Sequence, residues 1–319
     1  MLRHFLQRQL ILVTGKGGVG KTSCGLSLAY ALSEQGKKVL FCEIGGRASS
    51  PIFLGLTEVK QGAAVLSWKF NSKLTLTHLE TSAVIQDYFR DALPYERLVR
   101  FATNNKILSR LWAAAPSFNE FVLLNSIEKI CQGTHPRFDE RYDHVVVDLH
   151  ASGHAVTMLG VPKGINRIAK FGAIAERATA IGKILYDSRR TALTIVTIPE
   201  ELPVQESVEL KQRLQDEVGM SVECVILNLI RERHFSEKEG TGFERLLGSM
   251  NEGSGKALIR LAATEMKHRQ RQEHWLGRIK DCLAVRFVEL PVIIPVGRSR
   301  IEKLATVMGE VTLTQEWGG

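Results

Sequence analysis

The chain has 319 residues, with 42 Lys and Arg against 34 Asp and Glu for a net charge of +8, and 44% apolar residues. This fits one large or two small globular domains with a sizeable core, and it excludes a disordered, collagenous or disulfide-knit chain. No run of eighteen apolar residues occurs, so no transmembrane segment is predicted. The apolar stretch Gln9 to Thr14 follows a basic start but is too short for a signal peptide and lacks a small-residue cleavage site. The cysteines at 24, 42, 131, 224 and 282 form no Cys-x-x-Cys pair. They read as reduced thiols of a cytoplasmic protein, without a structural zinc.

In chain order, strands are expected at Leu10 to Val13, Lys38 to Cys42, Leu74 to His78, His144 to Asp148, Leu193 to Ile198, Val222 to Leu227 and Ala284 to Leu290. Several are almost continuously apolar, the signature of strands covered on both faces of a parallel sheet. Helical patterns fill the gaps, which predicts an α/β, doubly wound, mostly parallel sheet. Two regions break the alternation. Ile85 to Cys131 lacks strand signal, and Val161 to Leu185 returns apolar residues at 161, 165, 168, 171, 174, 178, 181 and 184. Both are read as one inserted helical subdomain, about 81–137 and 161–189, within a single domain whose core is about 1–80, 138–160 and 190–319. The second region carries Lys163, Arg167, Lys170, Arg177, Lys183, Arg189 and Arg190 against Glu176 and Asp187, over half of the net charge. A solvated helix face accounts for such a run as readily as an acidic partner or an anionic membrane surface.

The first strand runs into Gly15-Lys16-Gly17-Gly18-Val19-Gly20-Lys21-Thr22-Ser23, followed by a helical pattern. This satisfies G-x-x-x-x-G-K-[ST] in its strand–loop–helix setting. Glycines let backbone N–H groups curl around an anion, and the helix N-terminus adds partial positive charge. Lys21 can reach β- and γ-phosphates, and the Thr22 hydroxyl can ligate Mg²⁺.

The second lysine, Lys16, makes the loop K-G-G-x-G-K-[ST], which resembles the deviant P-loop of the MinD, ParA, ArsA and nitrogenase-iron-protein group of P-loop NTPases. The segment Asp148-Leu149-His150-Ala151-Ser152-Gly153-His154 resembles the D-T-A-P-T-G-H switch of the ArsA family, and Ala115-Pro116-Ser117-Phe118-Asn119-Glu120 its P-G-I-D-E segment. Asn228 closes Val225-Ile226-Leu227-Asn228 as the adenine-reading Asn of V-L-N-Q does, and Leu290-Pro291 follows a later strand, where the family packs a proline near adenine. The run Ile198 to Glu206 resembles bacterial ArsA-like members, including those linked to gliding motility. The resemblance implies a homodimeric switch that binds and hydrolyses ATP to ADP with Mg²⁺. Lys16 would act on the opposite subunit's phosphates, Asp148 would hold Mg²⁺ through water, and the helical subdomain would hold a protein client or membrane-associated partner.

The departures have consequences. Where the family has D-P-A-H after its second strand, with the Asp orienting water, this chain has Glu43-Ile44-Gly45-Gly46-Arg47. Glu43 keeps a carboxylate with one more methylene, which predicts slow hydrolysis, since catalysis here depends on positioning. Ala151 replaces the switch proline, and the missing Cys-x-x-Cys argues against an intersubunit zinc. His150 and His154 have helical ligand spacing, but a switch loop argues against their holding a metal. The alternatives are a MinD- or ParA-type positioning ATPase, against which the helical insertion weighs, and a nucleotide-gated scaffold that scarcely turns ATP over. Nucleic-acid binding rests on net charge alone and is not favoured. The expected location is cytoplasmic, with a peripheral membrane association left open.

Overall fold

The computed structural model describes residues 2–45, 48–56, 66–93, 95, 117–138 and 140–310. Gly46, Arg47, Ala115, Pro116, most of the predicted helical stretch between 93 and 117, and the chain beyond 310 lie outside the described residues.

Eight strands form one sheet: β1 (Leu10–Thr14), β2 (Val39–Ile44), β3 (Leu66–Lys69), β4 (Leu74–Leu79), β5 (His144–Asp148), β6 (Thr191–Thr197), β7 (Cys224–Ile230) and β8 (Arg286–Pro291). Their order is β3-β4-β2-β5-β1-β6-β7-β8, and every neighbouring pair is parallel except β3–β4. The mostly parallel α/β sheet is thus the one the apolar runs predict. β3 has no counterpart in that reading, because Leu-Ser-Trp-Lys is too short and polar to signal a strand. It exists by pairing antiparallel with β4 at the sheet edge.

The helices are α1 (Leu2–Phe5), α2 (Lys21–Glu34), α3 (Ser50–Phe53), α4 (Thr81–Ala92), α5 (Phe118–Gln132), α6 (Ser152–Ile168), α7 (Ala173–Leu185), α8 (Glu201–Arg213, extended by a π turn to Val218), α9 (Glu237–Ser249), α10 (Ser254–Leu283) and α11 (Arg298–Glu310). Alternate strand residues feed two cores. Ile11, Val13, Phe41, Val146 and Val196 face α2 and α11, while Leu10, Leu12, Leu40, Val145 and Ile195 face α5 to α8 and the end of α10. Each such side chain is almost fully buried, and truncating one to Ala costs about 2–5 kcal/mol.

The helical region grows from the sheet at two points. α4 and α5 meet through Tyr88, whose ring lies edge-on to Phe89, Phe118 and Phe121 at 5.8 to 6.0 Å. α6 begins directly after β5 and runs unbroken through residue 168, across the boundary expected near 160. The apolar period between 161 and 184 is divided by a link at 169–172, where Gly172 adopts φ +96°. Most of the basic run is occupied within the fold. Arg177 pairs with Asp91, Arg189 with Asp187, and Arg190 bonds Gln9, while Lys163 and Lys170 donate to the carbonyls of Val218 and Asn166.

Candidate functional site

β1 delivers its loop to the C-terminal edge of the sheet, between β5 and β6, where connections leave in opposite directions and ligands bind in such sheets. Two loop positions demand glycine. A Cβ on Gly15 (φ +144°) would lie 2.1 Å from the Val196 carbonyl oxygen, and one on Gly20 (φ +91°) 2.4 Å from Asn228 Nδ2. Gly20 caps α2 without a side-chain bond, so the first-turn N–H groups remain for an anion. Lys21 curls back over the loop, its Nζ donating to the Lys16 carbonyl at 3.0 Å. Burial lowers the Lys21 pKa, and the Asp148 carboxylate partly offsets this.

Thr22 Oγ1 donates to Asp148 Oδ2 at 2.5 Å. The other carboxylate oxygen, Oδ1, is buried and makes no hydrogen bond. Burial pushes the Asp148 pKa up to about 6; the Thr22 hydrogen bond and Lys21 pull against that, and the Glu43 carboxylate adds to it. Glu43 is near because parallel pairing sets it level with Asp148 at the ends of β2 and β5. A carboxylate oxygen desolvated without a partner, beside a hydroxyl and under a phosphate loop, suits a hard cation that brings its own water.

Glu43 itself is fully engaged. Its Oε1 accepts from Ser49 N at 2.8 Å and Ser49 Oγ at 2.6 Å, and its Oε2 from Ser50 N at 2.9 Å and from Ser50 Oγ. A buried carboxylate therefore ties down the start of α3, taking donors that would otherwise be unsatisfied. Lys16 reaches out of the loop to Glu206 on α8, at 2.6 Å. Asn228 is buried, and its Nδ2 donates to the Val19 carbonyl at 2.9 Å. Pro291 pairs in register with Ile230, two residues beyond Asn228.

The segment after Asp148 is bound to the loop strand. Leu149 N donates to Val13 O at 2.9 Å, Ser152 N to Gly15 O at 3.2 Å, and Thr14 Oγ1 to His150 O at 3.3 Å. His150 and His154 stack edge-on at 4.6 Å, and His154 Nε2 lies 3.2 Å from Glu120 Oε1 on α5. Burial, then the neighbouring His154, lowers the His150 pKa. No group of three or more His, Cys, Asp or Glu side chains able to hold a metal occurs among the described residues. Beyond Glu120 lies a groove of about 420 Å³ lined by Phe118, Phe121, Val161, Ile165, Ile168 and Ile174. Ile168 is 90% exposed there, and Phe171, in the adjoining link, 92%.

The structure thus brings Gly15 to Ser23, Asp148, Glu43 and Asn228 to one edge of the sheet. Sequence reasoning missed Glu206 as the partner of Lys16, Ser49 and Ser50 as the partners of Glu43, and the Glu120–His154 contact. Only Ser49-Ser50-Pro51 carried a signal, a helix start soon after a strand-end acid.

The family model for Anion-transporting ATPase matches residues 8–175 and 166–241. The ATPase BagA of Mycobacterium tuberculosis is 27% identical over 231 residues, covering 69% of this chain and 64% of its own length. The arsenical pump-driving ATPase of Escherichia coli is 27% identical over 214 residues, 65% of this chain and 32% of that protein. The ATPase GET3C of Arabidopsis thaliana is 23% identical over 304 residues, 79% of this chain and 77% of that protein. The chain therefore spans less than two thirds of BagA and of the bacterial pump ATPase. No described helix is long and apolar enough to cross a membrane. With the matched span holding the glycine loop, its Lys21 and Thr22, and the Asp148 that Thr22 contacts, the chain belongs to the ArsA-type Anion-transporting ATPase family.

Proposed function

We propose that the chain is a Mg-ATP-binding and ATP-hydrolysing switch that closes as a pair of identical subunits and thereby controls its hold on an apolar client. One observation carries the reading: Thr22 is bonded to Asp148 while Asp148 keeps a buried, unpartnered oxygen beneath the phosphate loop. Thr22 would hold Mg²⁺ directly and Asp148 through water, and the metal when bound neutralises charge on the β- and γ-phosphate oxygens. Lys21 and the N–H groups of the loop and α2 bind the phosphates.

Asn228 selects the base. With one N–H committed to Val19, the amide presents its Oδ1 acceptor, which suits the exocyclic amine of adenine and opposes the carbonyl oxygen of guanine. Pro291, close by at the end of β8, packs against the base. Lys16 is held in cis by Glu206 and, on closure, turns to the partner's phosphates, a cation supplied in trans. Exposed Leu229 near the end of β7, Ile294 and Val296 after β8, Ile52 in the short α3 and Leu202 in the first turn of α8 follow the C-terminal ends of strands, which supports burial of that edge against a second copy.

Client coupling runs through α5 and α6. α6 starts in the segment bonded to Gly15 and lines the groove further along, at Val161, Ile165 and Ile168, and Glu120, between groove residues Phe118 and Phe121, holds His154. A shift of residues 148–154 on hydrolysis therefore moves both walls. Lined mainly by apolar side chains, with Ser117 and Thr157 as its polar members, the groove suits a hydrophobic peptide segment. A second reading, a nucleotide-gated scaffold with little turnover, is favoured by one observation. All four donors around Glu43 are intramolecular, so orienting water requires the carboxylate to release some of them.

The test is calorimetric titration of the full chain with ATP, with and without Mg²⁺, paired with sedimentation in a non-hydrolysable analogue. Mg-dependent binding and an ATP-induced dimer are expected. Metal-independent binding to a chain that stays monomeric would overturn the switch.

A further inference from the structure

β7 ends irregularly. Leu229 adopts φ +58°, a left-handed conformation that a residue with a Cβ avoids, and pairing with β8 shifts register between Leu227 and Ile230. The bulge turns Leu229 outward, 39% exposed, and leaves Asn228 facing in, 4% exposed, against the phosphate loop. Such a kink persists only where its surroundings over-determine it.

The restraint comes from α10. Gln272 Nε2 donates to the Leu229 carbonyl at 2.9 Å, and Gln272 Oε1 accepts from Arg231 N at 2.9 Å. One side-chain amide thus takes the two backbone groups that a neighbouring strand would take. Two turns earlier on α10, Glu265 receives the Arg231 guanidinium at 2.8 Å to each carboxylate oxygen, so both grips lie along one side of that helix. On the other flank of the bulge, Val292 N bonds the Ile230 carbonyl at 3.0 Å.

We propose that Gln272 is a positioning residue for base selection: by holding the Leu229 bulge it keeps Asn228 locked on Val19 with its acceptor toward the base. The inference rests on the adenine-reading role of Asn228 proposed above. Base choice is then set partly from a helix outside the phosphate loop. Without the Gln272 amide, Leu229 relaxes towards extended backbone and Asn228 is no longer fixed. Phosphate binding, built on Gly15 to Thr22, is left alone.

Affinities of the full chain for MgATP, MgGTP and inorganic tripolyphosphate, measured by calorimetry, test this in Gln272→Ala, the isosteric Gln272→Glu and Asn228→Ala. In both Gln272 variants the ATP-to-GTP preference is expected to fall about tenfold, the equivalent of one hydrogen bond, with tripolyphosphate affinity unchanged. Adding Leu229→Gly to Gln272→Ala should recover part of the preference, since glycine takes a positive φ without strain. A preference that collapses in Asn228→Ala but stays intact in both Gln272 variants would overturn the inference and leave the Asn228 reading standing. A preference unmoved by Asn228→Ala overturns both. Loss of tripolyphosphate binding along with ATP in the Gln272 variants would reduce Gln272 to general support of the site and likewise overturn it.

Discussion

Replacing Asp148 by Asn should make the nucleotide-free protein more stable while destroying its metal dependence. Asp148 is 8% exposed, and its carboxyl titrates at about 6 in the fold against an ordinary value of 3.8, with burial the main cause. A carboxyl whose pKa rises on folding holds its proton more tightly in the folded state. Stability is therefore lost as pH rises through the interval from 3.8 to about 6. By pH 7 the full loss is about 3 kcal/mol, and at pH 5 roughly half of it has been incurred. Asn is isosteric and neutral, keeps an acceptor for Thr22 Oγ1, and carries no charge to desolvate. Thermal melts in EDTA at pH 7 should show the variant melting higher by roughly 6–12 °C, at ~2–4 °C per kcal/mol for a chain of this size, with the gap narrowing at pH 5. With Mg²⁺ and ATP the order should invert, because ligand stabilises only the form that binds it tightly. An Asn variant that melts lower than wild type in EDTA, or a gap that does not change between pH 5 and 7, refutes the reasoning.

Lys21→Ala removes the charge-assisted partner of the phosphates and should raise the Kd for ATP by roughly 10- to 150-fold, corresponding to ~1.5–3 kcal/mol; calorimetry showing equal affinity contradicts the loop assignment. The Lys16–Glu206 pair is partly solvent-exposed, with side chains 28% and 37% accessible, so Lys16→Ala should cost under ~1 kcal/mol of stability. Its effect on turnover is expected on the order of 10³-fold, with ATP-induced dimerisation lost in sedimentation. Normal activity in that variant ends the case for a cation acting in trans. Glu43→Gln places an amide N–H₂ against Ser donors, so it should destabilise the start of α3 by about 1–3 kcal/mol and lower turnover while ATP still binds. An unchanged rate would put water orientation on another group.

The sequence by itself determined the parts of this protein that depend on local pattern. Apolar runs announced a sheet buried on both faces, and seven of its strands lie close to where alternation with helices puts them. Gly15 to Thr22 is legible because phosphate-loop chemistry needs contiguous residues, and Asp148 because it ends a buried strand. β3 was not legible, since a short polar edge strand exists only through its partner β4. The tertiary structure decided whatever joins distant residues. Burial raised the pKa of Asp148, and parallel pairing of β2 with β5 added to that by setting Glu43 beside it across more than a hundred residues. Packing of α8 gave Lys16 its Glu206, and packing of α10 gave the bulge at Leu229 its Gln272. None of these has a sequence signature, because periodicity reports which face of an element is buried, whereas the identity of a polar partner depends on strand order and helix placement, which are settled only when the whole sheet closes.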